Sequence, residues 1–148
     1  MTNFTTPDPD YAARVVSSFA RQNFARVIGA SLLKVGPGEV DILLQSSSDL
    51  SQQHGYVHGG VLTSIADTAS GYSAMTLTPP GYEVLTVELK VNFLRPARGD
   101  QQIAQGRVVK VGKTLTICSC DVYDQSAAWN EHVLTGMATM MLVQGPDR

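Results

Sequence analysis

The feature that most constrains the fold is one long helical segment followed by four consecutive strand-like segments. Residues 59–78 suit a helix, which the sequence Pro79-Pro80-Gly81 ends. Strand-like segments follow at about 82–95, 100–111, 114–124 and 132–143. Consecutive strands joined by short turns pair in antiparallel fashion, and a sheet and a helix must cover each other's apolar faces. The order therefore predicts an α+β domain in which a largely antiparallel sheet curls round one long helix.

Residues 85–93 carry the clearest strand pattern of the chain. Apolar side chains occupy every second position, at Leu85, Val87, Leu89, Val91 and Phe93. Polar side chains occupy the positions between them, and this alternation predicts a half-buried strand.

The segment before the long helix predicts further helix and strand. We expect residues 1–26 to form an N-terminal helical segment, with a helix beginning near Asp8-Pro9-Asp10 and a short one at 22–26. Two strands are predicted at 27–34 and 39–45, with a turn at Gly36-Pro37-Gly38. No linker or internal repeat divides the chain, so residues 1–148 are expected to form a single domain.

Charged side chains are scarce. The 11 Lys and Arg and 13 Asp and Glu make up 16% of 148 residues, below the roughly 25% typical of soluble proteins. This scarcity indicates that much surface is hidden in the core or against other subunits. The net charge of −2 argues against a nucleic-acid partner, because phosphates require a surplus of Lys and Arg. Two cysteines and no secretory signal pattern predict a cytoplasmic protein, and we expect no membrane partner.

Asp67 is the single formally charged residue between Leu50 and Tyr82. At 100° per residue its helix face is shared by small residues and the opposite face is apolar. The small residues are Thr63, Ser64, Ser70, Gly71 and Ala74, and the residues facing away are Val61, Leu62, Ile65, Ala69 and Tyr72. Such a face suits close approach by another chain segment or a ligand. Two interpretations stay open: a carboxylate solvated or satisfied by hydroxyls, and a functional carboxylate such as a general base.

Gly59 and Gly60 stand at the predicted helix start. The first N–H groups of a helix lack partners within the helix and lie at the positive end of its dipole. Without a side chain, a carbonyl or oxyanion can approach that backbone closely. The pair therefore predicts either a flexible helix entry or, together with Asp67, an electrophile-polarising end and a base on one rigid element.

Two segments resemble one known family. These are His58-Gly59-Gly60-Val61 with Ala66-Asp67-Thr68-Ala69, and the run from Leu85 to Ala97. Together they are similar to the hotdog-fold acyl-CoA thioesterases of the phenylacetate-degradation type. The resemblance covers roughly residues 46–143 and is weak before residue 27.

The resemblance implies a hotdog fold, in which a long central helix is wrapped by a curved antiparallel sheet. It also implies a homodimer with active sites at the subunit interface, and dimers that associate into tetramers. The activity implied is hydrolysis of an acyl-CoA thioester to free acid and coenzyme A, with no metal or other cofactor. Hotdog dehydratases and hydratases are an alternative, although their His-Phe-Pro-Gly type signature is missing. A non-catalytic acyl-CoA-binding protein is another.

Specific residues receive roles through the resemblance. The Gly59 N–H would polarise the thioester carbonyl, with Gly60 beside it. Asp67 from the partner subunit would act as general base or nucleophile, and Thr86 would place the water. Gln52 stands where the family often has Asn, with His54 as a substitute. His58 would anchor the helix entry.

Basic residues cluster after the clearest strand. Arg95, Arg98, Arg107, Lys110 and Lys113 lie within 19 positions, opposed only by Asp100. Cationic side chains bind phosphates by charge-assisted hydrogen bonds, so this group suits the phosphates of coenzyme A, and a solvated sheet edge is the alternative. The resemblance favours Arg95 and Lys113.

Several remaining residues favour simpler roles. We expect Cys118 and Cys120 to fill space in the core, because no further Cys or His stands at zinc-site spacing. We expect His132 to lie on the surface or in the core. Tyr56, Tyr72 and Met75 are candidates for lining the acyl pocket, or for the core. The acyl group itself stays open among phenylacetyl, hydroxylated aromatic and medium-chain aliphatic thioesters.

Overall fold

The computed structural model describes residues 4–145. Within that range the chain forms three α-helices and a single antiparallel sheet. The helices are α1 (Tyr11–Ala20), α2 (Asn23–Ile28) and α3 (Gly59–Met75), with a 3₁₀ turn at Ser48–Leu50. The strands are β1 (Ala30–Gly36), β2 (Glu39–Gln45), β3 (Tyr82–Phe93), β4 (Gln101–Val111), β5 (Leu115–Gln125) and β6 (Asn130–Gln144). No helix in this range is long and apolar enough to cross a membrane.

The six strands pair in the order β1-β2-β4-β5-β6-β3, and each neighbouring pair is antiparallel. The sheet curves around α3, which packs mainly on β2, β4 and β5. This confirms the α+β class and the hotdog arrangement. Strand β3 follows α3 in the chain but pairs with the last strand, so it forms one free edge of the sheet.

Small residues bring α3 into close contact with the sheet. Ala66, Ala69 and Ser70 are fully buried on the helix. Gly106 of β4 lies directly beneath them, and a Cβ added there would overlap the backbone carbonyl of Ala69. The contact therefore requires glycine on the strand and small side chains on the helix.

The face of α3 that carries Asp67 is more buried than its composition suggests. Ser70 and Ala74, which share that face, are 0% and 1% exposed. All residues from Tyr72 to Thr78 are buried, so the C-terminal part of the helix is covered on every side. The small residues in the C-terminal half of α3 therefore allow close approach by another chain segment, and that segment is the protein's own sheet.

The end of α3 differs from the sequence prediction. The helix ends at Met75, three residues before the predicted end at residue 78. The following residues form tight turns, in which the Leu77 N–H donates to the Ala74 carbonyl at 3.0 Å. The Thr76 and Thr78 hydroxyls also bond back to the backbone, at 2.7 Å to Ser73 and 2.9 Å to Met75. Hydroxyl bonding to nearby carbonyls competes with helix continuation.

The alternation predicted for β3 holds for only part of the strand. A bulge between Thr86 and Glu88 shifts the register against β6. Leu85, Val87 and Phe93 are 55%, 57% and 55% exposed. They remain exposed because β3 is an edge strand and the bulge inserts one extra residue.

The N-terminal helices cover the C-terminal end of α3. Helix α1 agrees with its predicted start, whereas α2 and β1 each begin and end later than predicted. Val15 is fully buried against the core. The Arg14 guanidinium donates to the backbone carbonyls of Thr78 at 2.8 Å and Tyr82 at 2.9 Å and pairs with Asp8 at 2.8 Å. This network attaches α1 to the turn between α3 and β3.

Replacing Gly106 with Ala is expected to destabilise the fold, because the new Cβ would collide with the Ala69 carbonyl. Overpacking of this kind lowers the free energy of unfolding by about 1–3 kcal/mol. Gly71→Ala is the matched control, since its Cβ meets open space and Ala favours a helix over Gly by up to about 1 kcal/mol. Chemical denaturation measures both. A Gly106→Ala variant as stable as the wild type would contradict the close packing.

Candidate active site

The start of α3 exposes one backbone donor. His58 is the N-cap of the helix, and its Nδ1 accepts the Gly60 N–H at 2.9 Å. The His58 N–H in turn donates to the Leu50 carbonyl at 2.8 Å. This places His58 in the anchoring position predicted for it. The Gly59 N–H cannot bond within the helix, and no acceptor for it exists within residues 4–145.

Gly59 opens onto a cavity of about 470 Å³. The cavity is lined by Gln52, Tyr56, Val57, Gly59, Leu62, Phe93, Leu94, Arg95, Pro96 and Ala97. A Cβ on Gly59 would lie 3.1 Å from the Phe93 ring. Gly59 therefore lines a mostly apolar space with one guanidinium at its rim.

Asp67 occupies the middle of α3, beside the first part of β3. Its Oδ1 accepts a hydrogen bond from the Thr86 hydroxyl at 2.8 Å. Both residues line a second cavity of about 240 Å³. The two residues that the sequence assigned to base and water placement are thus in direct contact.

The donor and the carboxylate are far apart within one chain. Eight positions separate Gly59 from Asp67 on α3, which is about 12 Å along the helix axis at 1.5 Å per residue. They also line different cavities. One bound thioester carbonyl cannot contact both, because each contact requires about 3 Å.

Gln52 and His54 take different positions relative to the Gly59 cavity. Gln52 lines this cavity, and its Oε1 accepts the His54 N–H at 2.9 Å. The His54 side chain is exposed and lines neither of the two cavities. Of the two, Gln52 is the residue that the fold brings to the site.

The basic residues do not form one cluster. Arg95 lines the Gly59 cavity and also, with Arg98, a neighbouring cavity of about 220 Å³. Arg107 pairs with Asp41 at 2.6 Å on the sheet. Lys113 stands beyond the far end of β4, an eleven-residue strand that spans about 36 Å. Within one chain, Arg95 and Lys113 therefore cannot bind the same phosphate.

Comparisons with known proteins give the family. The thioesterase superfamily model matches residues 54–128, just over half of the chain. The chain belongs to the thioesterase superfamily. A putative esterase from Halobacterium salinarum is 33% identical over 128 residues, covering 82% of each chain. Human acyl-coenzyme A thioesterase 13 is 28% identical over 107 residues, covering 71% of this chain and 76% of the human one.

Solved structures agree with this membership. A thioesterase family protein from Silicibacter pomeroyi has a TM-score of 0.89 and 38% identity, covering 91% of this chain and 99% of its own. The E. coli PaaI protein, from the phenylacetic acid degradation operon, shares the fold with a TM-score of 0.84 at 20% identity, over 95% and 98% of the two chains. The protein is thus an enzyme of a thioester-hydrolase family, and its predicted membership of the hotdog thioesterases is confirmed.

A buried polar brace supports the rim of the Gly59 cavity in this thioesterase. Asp124 is 0% exposed, and its carboxylate accepts the Arg98 N–H at 2.8 Å and the Gly99 N–H at 2.9 Å. Gln102, also fully buried, donates to it at 2.6 Å. The brace holds the loop that carries Arg95 to the cavity. Sequence reasoning missed it, although Asp124 continues the inward alternation of Cys118, Cys120 and Val122 along β5.

The two cysteines and His132, for which the sequence predicts no part in the site, lie in the core and away from the two cavities. Cys118 and Cys120 are fully buried, which confirms core filling. Burial raises the pKa of the Cys118 thiol to about 11, so this thiol is protonated at neutral pH. His132 lies 2.9 Å from Asp121 and stacks on Tyr123 with a centroid distance of 4.7 Å, away from both cavities.

The Asp124→Asn variant is expected to unfold more easily than the wild type. Both oxygens of the Asp124 carboxylate accept N–H groups, from the Arg98 and Gly99 backbone and from Gln102. In either orientation of an Asn side chain its NH₂ would face one of these donors, and a buried unsatisfied group costs about 1–3 kcal/mol. Asp121→Asn on the same strand is the control, because its partly exposed pair with His132 contributes at most about 1 kcal/mol. Equal denaturation midpoints for the two variants would rule out the brace.

Proposed function

We propose that this protein hydrolyses acyl-CoA thioesters at sites shared between two subunits. One subunit supplies the Gly59 N–H, and the partner subunit's Asp67 supplies the carboxylate. The similarity to human acyl-coenzyme A thioesterase 13 supports the substrate class. The observation that carries the proposal is that Gly59, whose N–H has no acceptor among residues 4–145, and Asp67 lie eight positions apart on one rigid helix, about 12 Å along its axis. A second copy of the chain is the simplest way to bring the two together.

The edge strand β3 supports the pairing of two copies. Its outer edge has no partner strand within residues 4–145, and Leu85, Val87 and Phe93 are more than half exposed. An unpaired apolar edge is a template for adding another strand. Antiparallel pairing of two β3 strands would bring the Thr86 end of one copy toward the Phe93 end of the other. Asp67 contacts Thr86 and Gly59 neighbours Phe93, so the same pairing would bring the two halves of the site together.

The chemistry follows from the two halves. The Gly59 N–H would bind the carbonyl oxygen and stabilise the negative charge that develops on it. Asp67 would take a proton from the attacking water, or attack the carbonyl carbon itself. The carbon–sulfur bond then breaks, and coenzyme A leaves as the thiol after taking up the proton that the water gave up. If Asp67 is the nucleophile, this step leaves an acyl–Asp67 anhydride, which a water molecule then hydrolyses to the free acid and the Asp67 carboxylate. The Thr86 hydroxyl, bonded to Asp67 Oδ1, would hold the carboxylate and place the water.

Other site residues have supporting roles in the proposal. Gln52 and Gly60 would contact substrate or water beside Gly59. Arg95, at the rim of two cavities, would bind a phosphate of coenzyme A. Lys113 could contribute only from a different subunit, and His54 stays a prediction. The tetramer, the cytoplasmic location and the single domain over residues 1–148 also stay predictions.

Removing the carboxylate is expected to abolish most of the activity. Asp67→Asn and Asp67→Ala should each lower kcat by at least about 10²-fold with little change in binding, the scale of general-base loss. The assay is hydrolysis of a panel of acyl-CoA thioesters, with Asp49→Asn as the control, an exposed carboxylate that lines neither cavity. Wild-type rates in both Asp67 variants would reject its catalytic role. A wild-type chain that binds but hydrolyses none of the panel would favour the non-catalytic alternative.

Gly59 allows a test of its N–H separately from its missing side chain. Gly59→Ala adds a Cβ near the Phe93 ring and keeps the N–H. Gly59→Pro removes the N–H as well, at a first-turn position that Pro tolerates, and the extended backbone of His58 (ψ 133°) suits a following Pro. We expect kcat to fall about 10²–10³-fold in Gly59→Pro relative to Gly59→Ala. Equal kcat values would exclude this donor.

Mixing two inactive variants tests whether the site is shared. Asp67→Ala and Gly59→Pro chains, unfolded together and refolded at equal ratio, form mixed dimers with one intact site if the partner completes the site. Random pairing then restores about a quarter of the wild-type activity. Each variant refolded alone is the control. No recovery, with mixed dimers shown by mass spectrometry, would place the whole site within one chain.

A further inference from the structure

The solvent side of α1 carries no charged residue. Its exposed positions are small or apolar, with one hydroxyl among them: Ala13, Val16, Ser17 and Ala20. At 100° per residue these four share one face of the helix, whereas Val15 is fully buried on the other side. The exposed face of a helix in a globular domain usually carries charged and polar residues. This face therefore has the composition of a surface that a partner covers.

Helix α2 follows α1 directly and adds larger apolar side chains. Phe24 and Val27 lie one turn apart, so they are neighbours on the helix surface. They are 50% and 78% exposed, and Val27 is the most exposed large apolar side chain among residues 4–145. Ala25 and Ile28 of the same helix are buried, so α2 is attached to the core by its other side. We name the exposed side of the two helices, with Val16, Phe24 and Val27, the α1–α2 surface.

The charge of this part of the chain is opposite to that of the rest. Residues 11–38 contain four basic residues and no acidic one, whereas the whole chain has a net charge of −2. Two of the four are paired, Arg14 with Asp8 and Lys34 with Glu39, each at 2.8 Å. The other two, Arg21 and Arg26, are exposed and donate only to Ser17 and Asn23 of their own helical segments. Among residues 4–145 neither has a carboxylate within 4.0 Å. Two uncompensated positive charges therefore belong to the α1–α2 surface.

These charges argue against two classes of partner. A twofold interface between copies of the chain places the same patch on both subunits, so Arg21 and Arg26 of one copy would face those of the other. Like charges brought together at an interface repel each other. Nucleic acid matches the charge but not the apolar side chains, because its interfaces consist mainly of polar contacts to phosphates and bases. The partner that fits is anionic and also accepts apolar groups.

We infer that the α1–α2 surface docks on an anionic lipid membrane. Phe24 and Val27 enter the boundary between head groups and acyl chains, as the apolar face of an interfacial helix does. The Arg21 and Arg26 guanidiniums bind the anionic head groups, while their aliphatic stems lie along the apolar region. The net charge of the whole chain conceals this surface, so the inference replaces the expectation of no membrane partner.

Docking by this surface brings the candidate site close to the membrane. Ser18 and Gln22 belong to the same two helical segments and line the cavity that contains Asp67. A helix with its side chains is about 10 Å across, so this cavity lies about one helix diameter from the lipid. The inference concerns where the protein works and does not depend on the proposed hydrolysis.

Vesicle flotation tests the inference. The full chain is mixed with vesicles of phosphatidylcholine, or of phosphatidylcholine with about 30% phosphatidylserine, and the protein that floats with the lipid is measured. We expect at least about tenfold stronger binding to the anionic vesicles at low ionic strength, because each cationic side chain near such a surface adds about fivefold. Most of this difference should disappear at about 1 M salt, where the screening length falls to about 3 Å.

Variants assign the binding to the α1–α2 surface. Arg21→Gln combined with Arg26→Gln should weaken binding to the anionic vesicles about 30-fold. The control is Lys110→Gln combined with Lys113→Gln, which changes the net charge equally at two exposed positions outside this surface.

The apolar contribution is tested separately. Val27→Ser should weaken binding about tenfold, because it removes an apolar side chain from the lipid boundary. Val109→Ser is the matched control, since Val109 is 52% exposed on β4. All these side chains are exposed, so the variants should fold, and thermal denaturation followed by circular dichroism verifies it.

The outcomes separate this inference from the proposed function. Absence of binding, or equal binding to neutral and anionic vesicles, would overturn the inference and leave an acidic protein as the partner that fits. Equal weakening by the arginine and lysine pairs would also overturn it, because the attraction would then follow net charge alone. Hydrolysis of acyl-CoA thioesters in solution without vesicles tests the proposed function by itself, so either proposal can fail while the other stands.

Discussion

The close packing of α3 on the curved sheet determines where the candidate site lies. Ala69 and Ser70 lie against Gly106 with no room for a Cβ on the strand. Protein interiors are packed densely, so such a contact admits few alternative helix positions. With the helix held at this depth, Asp67 emerges where Thr86 of the edge strand can reach it. The length of α3 then separates the carboxylate from the helix start by a fixed distance.

In the proposed mechanism, the rigid helix makes one chain hold two half-sites. Gly59, whose N–H has no acceptor among residues 4–145, lines one cavity, and Asp67 and Thr86 line another. The apolar, unpaired edge of β3 lies between them and offers a surface for a second copy. Scarce charge, which first indicated hidden surface, agrees with this view, because an interface over β3 would cover several exposed apolar side chains. Function and assembly are therefore coupled in the proposed mechanism.

Sequence reasoning named candidate residues more readily than it described their surroundings. Asp67 could be selected because it is the single charge in a long apolar stretch, whereas Thr86 and His58 were selected through the family resemblance, and the roles of all three stay predictions. Arg95 and Lys113 could not be separated, because their spacing in sequence hides the length of β4 between them. The bulge in β3 could not be predicted either, because the alternation of apolar and polar residues does not show how a strand is aligned with its neighbour. The Asp124 brace, and the contacts of Tyr72 with Ser18 and Gln22, combine residues from distant segments, which no local pattern joins.

The sequence by itself determined the order of helix and strands, the α+β class and the family, and it placed a lone carboxylate and a glycine pair on one predicted helix. These are properties of local periodicity and short motifs, in which the backbone geometry is set by neighbouring residues. Only the tertiary structure decided that β3 forms the edge, that the Gly59 N–H has no acceptor in the described part of the chain, and that Ser18 and Gln22 contact Tyr72. The contacts of Tyr72 depend on the packing of segments 50 or more residues apart, and packing is a property of the whole chain.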